Sequence, residues 1–262
     1  VGAGQVSCFD AEDFCVREIG IITAMRIEAR CITSLRLPFN QKISLGENAA
    51  IWLCGMGEEA ARGAAEGLRM GGASALMSFG FAGALDSNLR PGHLILPESV
   101  HADRSLQVDL SWRDSLRQCL PGHLNVTGGV LAASSKMLTS AIAKRELAQA
   151  TGACAVDMES GAVAEAAVRA GLPFLAIRAI SDPVDFSPPP VLLDVVRPDG
   201  SADLARLLPL LVRGSLAVST LLRLAMGSRA ACAALSAVVR YAGAEIGMRR
   251  RNAASPRGYV SD

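Results

Sequence analysis

Aromatic side chains make up only 4% of the 262 residues, and histidine occurs three times, as His93, His101 and His123. The shortage of aromatics leaves the core to Ala, Val, Leu and Ile, the usual material of buried parallel strands and the helices that cover them, which favours an α/β fold over an all-β one. Basic residues nowhere alternate with aromatics, and a formal net charge of +1 provides no field to gather polyanions, so nucleic acid is not an expected partner. No two of the histidines stand at ligand spacing, and no metal or other cofactor is expected. The seven cysteines are odd in number and scattered, without a C-x-x-C pair. They read as reduced thiols of a cytoplasmic protein, not as a disulfide framework. Acids at Asp10, Glu12 and Asp13 replace the basic region of a secretory signal, so the protein is expected to stay inside the cell. A G-x-S-x-G nucleophile elbow is missing, which argues against a serine hydrolase.

What is present is an alternation of short apolar runs with helix-period segments. Ile19–Thr23 has strand length, and Met25 to Leu35 follows with Ile27, Cys31 and Leu35 on one helical face. A hairpin around Gly46-Glu47-Asn48 leads to a strand from Ala49 to Cys54. After Gly55-Met56-Gly57 an Ala-rich helix runs to Met70 and stops at Gly71-Gly72. Ala73 to Ser78 reads as a strand, Gly80-Phe81-Ala82-Gly83 as a tight loop, Gly92 to Val100 as extended chain and His101 to Asp109 as a polar connection. Helices follow near Trp112–Cys119, Thr139–Ala150 and Glu159–Ala170, with strands near Val126–Ala132, Ala153–Val156 and Phe174–Ile180. The pattern predicts one three-layer α/β/α domain over residues 18–248 with a central mixed sheet, and ligands at the carboxyl ends of its strands. Residues 1–17 read as a loose leader, Pro188-Pro189-Pro190 as an ordered irregular loop and 249–262 as a disordered tail.

Residues 204–248 are apolar and helical, with Arg206, Arg213, Arg223, Arg229 and Arg240 interspersed and Arg249-Arg250-Arg251 beyond. Two readings stand: a helix pair closing the sheet with its arginines in water, or a basic amphipathic surface resting on anionic lipid. Because arginines interrupt the long apolar runs, no transmembrane span is expected.

Acids gather at strand ends: Glu28 after the first strand, Asp157 and Glu159 after Val156, and Asp182 after Ile180. Singly, each has an ordinary explanation as a first-turn helix charge, a turn former ahead of Pro183, or a solvated side chain. Together they fall in the string Ala155-Val156-Asp157-Met158-Glu159-Ser160, then Ala170-Gly171-Leu172-Pro173-Phe174, then Ile177-Arg178-Ala179-Ile180-Ser181-Asp182. This string resembles the signature of nucleoside phosphorylases and methylthioadenosine/S-adenosylhomocysteine nucleosidases. Gly20-Ile21-Ile22-Thr23-Ala24-Met25 with Glu28 resembles the opening of the nucleosidase branch, and Gly55-Met56-Gly57 and Gly80-Phe81-Ala82-Gly83 resemble its two glycine loops. The resemblance runs from about residue 18 to 185. More narrowly, Ser78-Phe79-Gly80, Leu89-Arg90-Pro91-Gly92 and Ser228-Arg229-Ala230-Ala231 resemble the hopanoid-associated phosphorylases, or adenosylhopane nucleosidases.

The resemblance implies a nucleoside phosphorylase-like fold, a homodimer or larger homo-oligomer, and cleavage of the N-glycosidic bond of an adenine nucleoside, whose 5′ carbon carries a lipid in the narrower group. It implies that Asp182 serves purine N7 and is held protonated by burial and its neighbours, that Glu159 accepts ribose hydroxyls, and that Glu28 activates water. It further implies a substrate-binding set of Met158, Asp157, Phe81, Ala82, Gly83, Ser181 and Met137. Asp157 stands where a Glu is commoner, Phe81 where a small serine is, and Met137 near the place of an adenine-stacking aromatic. Hydrolysis is favoured over phosphorolysis, because the phosphorylase pattern has an arginine where this chain has Ser78, and Glu58-Glu59 would repel phosphate from the first loop. Phosphorolysis of the same bond and a non-catalytic nucleoside-binding protein remain as alternatives. Gly55-x-Gly57-x-x-Ala60 also fits a dinucleotide fingerprint, but the next strand ends without the acid that would hold the ribose. Arg178, inside an apolar strand, is expected to pair with a nearby acid.

Overall fold

The computed structural model describes residues 18–186, 191, 195, 197, 209–210, 212–213, 216–243 and 246. The expected leader over 1–17, the proline loop at 188–190 and the tail over 249–262 lie outside the described residues.

A mixed sheet of eleven strands forms the middle layer. Its left half is parallel: β3 (Ala49–Leu53), β1 (Ile19–Thr23) and the long β4 (Ala75–Ala84) lie side by side, with β2 (Lys42–Ser44) antiparallel on the outer edge of β3. Beyond β4 the sheet divides. One path runs through β10 (Ala155–Asp157), β9 (Val130–Ala133), β6 (Ser99–His101) and β7 (Ser105–Gln107). The other runs through β11 (Phe174–Asp182) to β5 (Leu94–Ile95) and β8 (Val126–Thr127). β4 can serve both paths because it is ten residues long.

The strands read out their alternation on two faces. Leu76 of β4 and Phe174, Ala176 and Ile180 of β11 face the layer made by α2 (Glu58–Met70) and α5 (Ser160–Ala170). Ala75, Met77 and Phe79 of β4 and Leu175, Ile177 and Ala179 of β11 face α1 (Arg26–Ile32), α3 (Leu110–Cys119) and the C-terminal helix. α4 (Ala141–Thr151) lies against β9, and the last described helix is α6 (Val218–Ala242). Alanine dominates the buried faces of α2 and α5, which allows the two helices to lie close together, as the shortage of aromatics foretold.

Three expectations need correction. Gly80-Phe81-Ala82-Gly83 is no loop; it is the second half of β4, and neither glycine has positive φ. Their role is room: a Cβ on Gly80 would lie 2.5 Å from Glu28 Oε1 and collide with Arg178, and one on Gly83 would meet Asp182 at 3.1 Å. The connection after His101 contains a strand, β7, which zips back onto β6 and covers its edge. Finally, α6 has 25 residues and an 18-residue stretch with a mean hydropathy of 1.3, long and apolar enough to cross a membrane, so its arginines do not exclude a span on length and composition. In the fold, one side of it packs on β11 and α1 through Gly227, Ala231, Ala234, Leu235 and Val238. Gly227 sits directly on the Ser181 carbonyl, where no side chain fits. The first member of the expected helix pair falls largely outside the described residues.

Candidate active site

The second half of β4 is the floor on which the acids meet. Its residues pair with β11 on one side (Arg178 with Gly80, Ile180 with Ala82, then a register shift to Asp182 with Gly83) and with β10 on the other (Val156 with Gly83). Strand ends carrying Asp157 and Asp182 thus converge on four residues of small or accommodating backbone.

Glu28 reaches this floor from α1. As the third residue of its helix it turns back, and Oε2 accepts from the N–H groups of Met25 (2.8 Å) and Ala24 (3.1 Å) and from the Thr23 hydroxyl (3.1 Å). The other oxygen accepts from the Phe81 N–H at 2.8 Å. Its side chain is buried, and burial raises its pKa above the ordinary carboxylate value against the pull of Arg178 and these donors.

Arg178 is the largest fully buried side chain of the described residues, and it organises the cluster. One terminal nitrogen lies 2.5 Å from Asp157 Oδ2 and 3.9 Å from Glu159 Oε2, and donates to the Ser78 hydroxyl at 2.5 Å and the Ser160 hydroxyl at 3.1 Å. The other terminal nitrogen donates to the Phe81 carbonyl at 3.4 Å. The expected acid partner of Arg178 is therefore Asp157, with Glu159 at longer range. Asp157 Oδ2 also accepts from the Ser160 N–H at the start of α5, whereas Oδ1 is buried without a hydrogen-bond partner among the described residues.

Glu159 stands at the N-terminus of α5, and its Oε1 accepts from the Gly57 N–H at 2.9 Å. Gly57 has φ +102°, a backbone state that requires glycine, and caps α2, so the carboxylate occupies the anion-binding end of that helix. Burial pushes the Glu159 carboxyl up to about 7, with Arg178 drawing it down and Asp157 and Glu28 pushing it further up. Around one guanidinium, then, stand three carboxyl groups.

Asp182 lies further along the same strand. Oδ2 is 2.5 Å from the ammonium of Lys144, and Oδ1 accepts from the Ser181 hydroxyl at 2.9 Å. Its nearest charged partner is thus the Lys144 cation. From Gly80 to Gly83 along an extended strand is about 10 Å. A cavity of about 250 Å³ opens beside Asp182 and Ser181, walled by Phe186, Arg223 and Leu224. It borders Asp182 and does not extend to Glu28 or Glu159.

Among the other expected residues, Met158 and Phe81 are half-buried next to the cluster in sequence, and Ala82 accepts from the Ser181 hydroxyl at 3.4 Å. Met137 is 40% exposed ahead of α4 and joins neither the hydrogen bonds nor the packing around Arg178. Lys144, Ser160 and Thr23 were not anticipated. Lys144 had one legible signal: it stands in phase with Leu147, Ala148 and Thr151 on the inward stripe of α4. Five described cysteines are free thiols, and burial raises the pKa values of the two buried ones, Cys31 and Cys54.

Residues 18–208 match the model of the Phosphorylase superfamily, and the chain belongs to that family. Its class is that of a nucleosidase or nucleoside phosphorylase enzyme. Solved structures with the same fold include 5′-methylthioadenosine/S-adenosylhomocysteine nucleosidase from Neisseria meningitidis in complex with methylthio-immucillin-A, at 18% identity and a TM-score of 0.65, covering 88% of this chain and 98% of that one. Futalosine hydrolase of Helicobacter pylori follows at 19% identity and a TM-score of 0.62, covering 86% and 98%. A mutant Helicobacter pylori nucleosidase with 5′-methylthioadenosine in its active site has 19% identity and a TM-score of 0.58, covering 76% and 99%. At these identities the likeness concerns the fold. No curated protein matches the chain.

Proposed function

We propose that the protein is a purine nucleosidase that hydrolyses the N-glycosidic bond of an adenine nucleoside. The observation that carries this reading is the convergence of Glu28, Asp157 and Glu159 on one buried guanidinium at Gly80–Phe81, with Asp182 at the next glycine of the same strand. Breaking a ribosyl C–N bond builds positive charge on the sugar and negative charge on the departing purine, and fixed groups of opposite sign stabilise that transition state. In this reading Glu28 takes a proton from water as it attacks the anomeric carbon. Glu159, through the oxygen not held by Gly57, accepts the ribose hydroxyls and faces the sugar cation, against which Met158 packs. Asp182, with Ser181, serves purine N7, and Phe81, Ala82 and Gly83 line the strand beneath. Asp157 works by holding Arg178.

Water is favoured over phosphate for two reasons. Ser78 stands where a phosphate-binding arginine would be needed, and the Gly57 N–H at the N-terminus of α2 is already taken by a carboxylate. Purified protein incubated with adenosine and with methylthioadenosine, with and without phosphate, tests this directly. Adenine and free sugar released without phosphate support hydrolysis. A strict phosphate requirement with a sugar phosphate product establishes phosphorolysis, and binding without release establishes a nucleoside-binding protein.

The substrate we propose more narrowly is adenosylhopane, cleaved during hopanoid biosynthesis by a cytoplasmic homo-oligomer that touches the inner face of the membrane. Support comes from the resemblance of Leu89-Arg90-Pro91-Gly92 and the α6 sequence to that group, and from the outer face of α6. Val218, Leu222 and Met226 are exposed there, Arg223, Arg229 and Arg240 share the helix, and it contains no acid. Such a surface suits anionic lipid. An adenosyl lipid cleaved no better than adenosine, or a failure to float with anionic liposomes, removes the corresponding part of the proposal.

A further inference from the structure

We propose that Lys144 is a positioning residue that fixes Asp182, and through it the purine-side chemistry. The inference rests on the reading that Asp182 serves the purine. Lys144 projects from the inward stripe of α4 and is 1% exposed. Its ammonium has three hydrogens and meets three acceptors: Asp182 Oδ2 at 2.5 Å, the Pro183 carbonyl at 3.0 Å and the Phe186 carbonyl at 3.3 Å. Asp182 Oδ1 is meanwhile held by the Ser181 hydroxyl, so both oxygens of the carboxyl have assigned partners and its plane is set from two sides.

Burying a lysine in a stripe otherwise made of Leu147, Ala148 and Thr151 is costly, and a leucine would pack there without desolvating a charge. Pinning two backbone carbonyls would need only a neutral donor. The ammonium is explained by the carboxylate, and it leaves Asp182 oriented by a partner whose three donors are all engaged. Lys144 also ties Asp182 to the segment Pro183–Phe186, whose Phe186 walls the adjoining cavity, so the orientation of the carboxyl and the shape of that wall are set by one side chain.

The test is a double-mutant cycle on adenine release from whichever of adenosine and methylthioadenosine is cleaved, using K144M, D182N and the pair, with circular dichroism and melting to confirm folding. K144M is expected to lower kcat roughly 10- to 100-fold, the scale of a misplaced catalytic group. On the D182N background the same change is expected to lower kcat less than about threefold, because coupled residues are non-additive. K144R, which keeps the charge, is expected to recover part of the loss. Effects that multiply independently overturn the assignment, since a purely structural lysine would impair both backgrounds alike. If K144M does not fold, the cycle run with K144R decides by the same criterion. D182N that turns over like the wild type removes the reading of Asp182 itself, a result distinguishable from multiplication.

Discussion

Replacing Glu159 with glutamine should make the protein more stable at neutral and alkaline pH while abolishing its activity. Glu159 is buried, and burial lifts its carboxyl from 4.5 to about 7. Between those values the folded protein keeps a proton that the unfolded chain has released. The folded state therefore binds more protons, and stability falls as pH rises across that window; it is level below 4.5, where both states are protonated, and level again above 7, where both are ionised. At about 1.36 kcal/mol per pH unit the fall amounts to about 3 kcal/mol. Glutamine stands for the protonated form, and its amide oxygen can still accept from the Gly57 N–H. At pH 8, E159Q should therefore be more stable than the wild type by up to about 3 kcal/mol, or several degrees in Tm. Below pH 4.5 the two should coincide. Thermal and urea melts from pH 4.5 to 8.5 measure the difference. Some slope will persist in E159Q because burial also raises Glu28, and E28Q/E159Q should be flatter still. In the proposed reading activity runs the other way, since only the carboxylate would stabilise a sugar cation: kcat/KM of the wild type should rise with pH through about 7. An E159Q protein less stable than the wild type at pH 8, with an unchanged pH slope, would refute the account of Glu159 as a desolvated charge.

The other positions give sharper losses. E28Q should retain the fold and nucleoside binding but lose about 10²- to 10⁴-fold in phosphate-independent adenine release, the usual contribution of a general base. R178M should cost about 3–5 kcal/mol in urea denaturation, because it strands Asp157 as a buried unpaired carboxylate, and D157N/R178M should recover part of that loss. In G80A the added methyl lies 2.5 Å from Glu28 Oε1 and against Arg178, so a destabilisation of about 1–3 kcal/mol should accompany a fall in activity; G63A, where a Cβ meets nothing within 4 Å, is the control and should be neutral or stabilising.

Much of this was legible beforehand, for reasons that differ from element to element. β1, α2 and β11 announce themselves because their periodicity and their glycine and proline stops agree. Glycines 80 and 83 misled because, in sequence, a glycine that makes room looks the same as one that makes a turn; only the side chains arriving from α1 and β11 tell them apart. β7 was hidden among polar residues because an edge hairpin needs only one buried side chain, Leu106. The acids were readable as a set through their resemblance to a family, yet the sequence could not show that Asp157 belongs to Arg178 and Asp182 to Lys144. Pairing across 21 residues of chain in one case (157 to 178) and 38 in the other is a property of strand register and helix phase, which no local pattern encodes.

The charges around the strand floor bear on the nucleophile and the leaving group together. On the side proposed for the sugar three carboxyls stand around one guanidinium, so at least one negative charge is uncompensated once Glu159 ionises. At about 4 Å and an effective dielectric near 20, a unit charge pair is worth about 4 kcal/mol, so an uncompensated carboxylate attracts a developing sugar cation by that amount and repels a phosphate dianion by about twice as much. Water carries no charge into this environment, and Glu28 can relieve it of a proton. On the side proposed for the purine the balance is reversed, for Asp182 is matched by the buried ammonium of Lys144, and negative charge arriving on a base there would meet a neutral pair with a cation in it. The charges at the two ends of the proposed scissile bond therefore push electrons from the sugar toward the purine, the way they must move when the two part. In the proposed reading an arginine at position 78 would cancel the surplus on the sugar side and admit phosphate; serine leaves that surplus in place, which is why we propose water as the nucleophile.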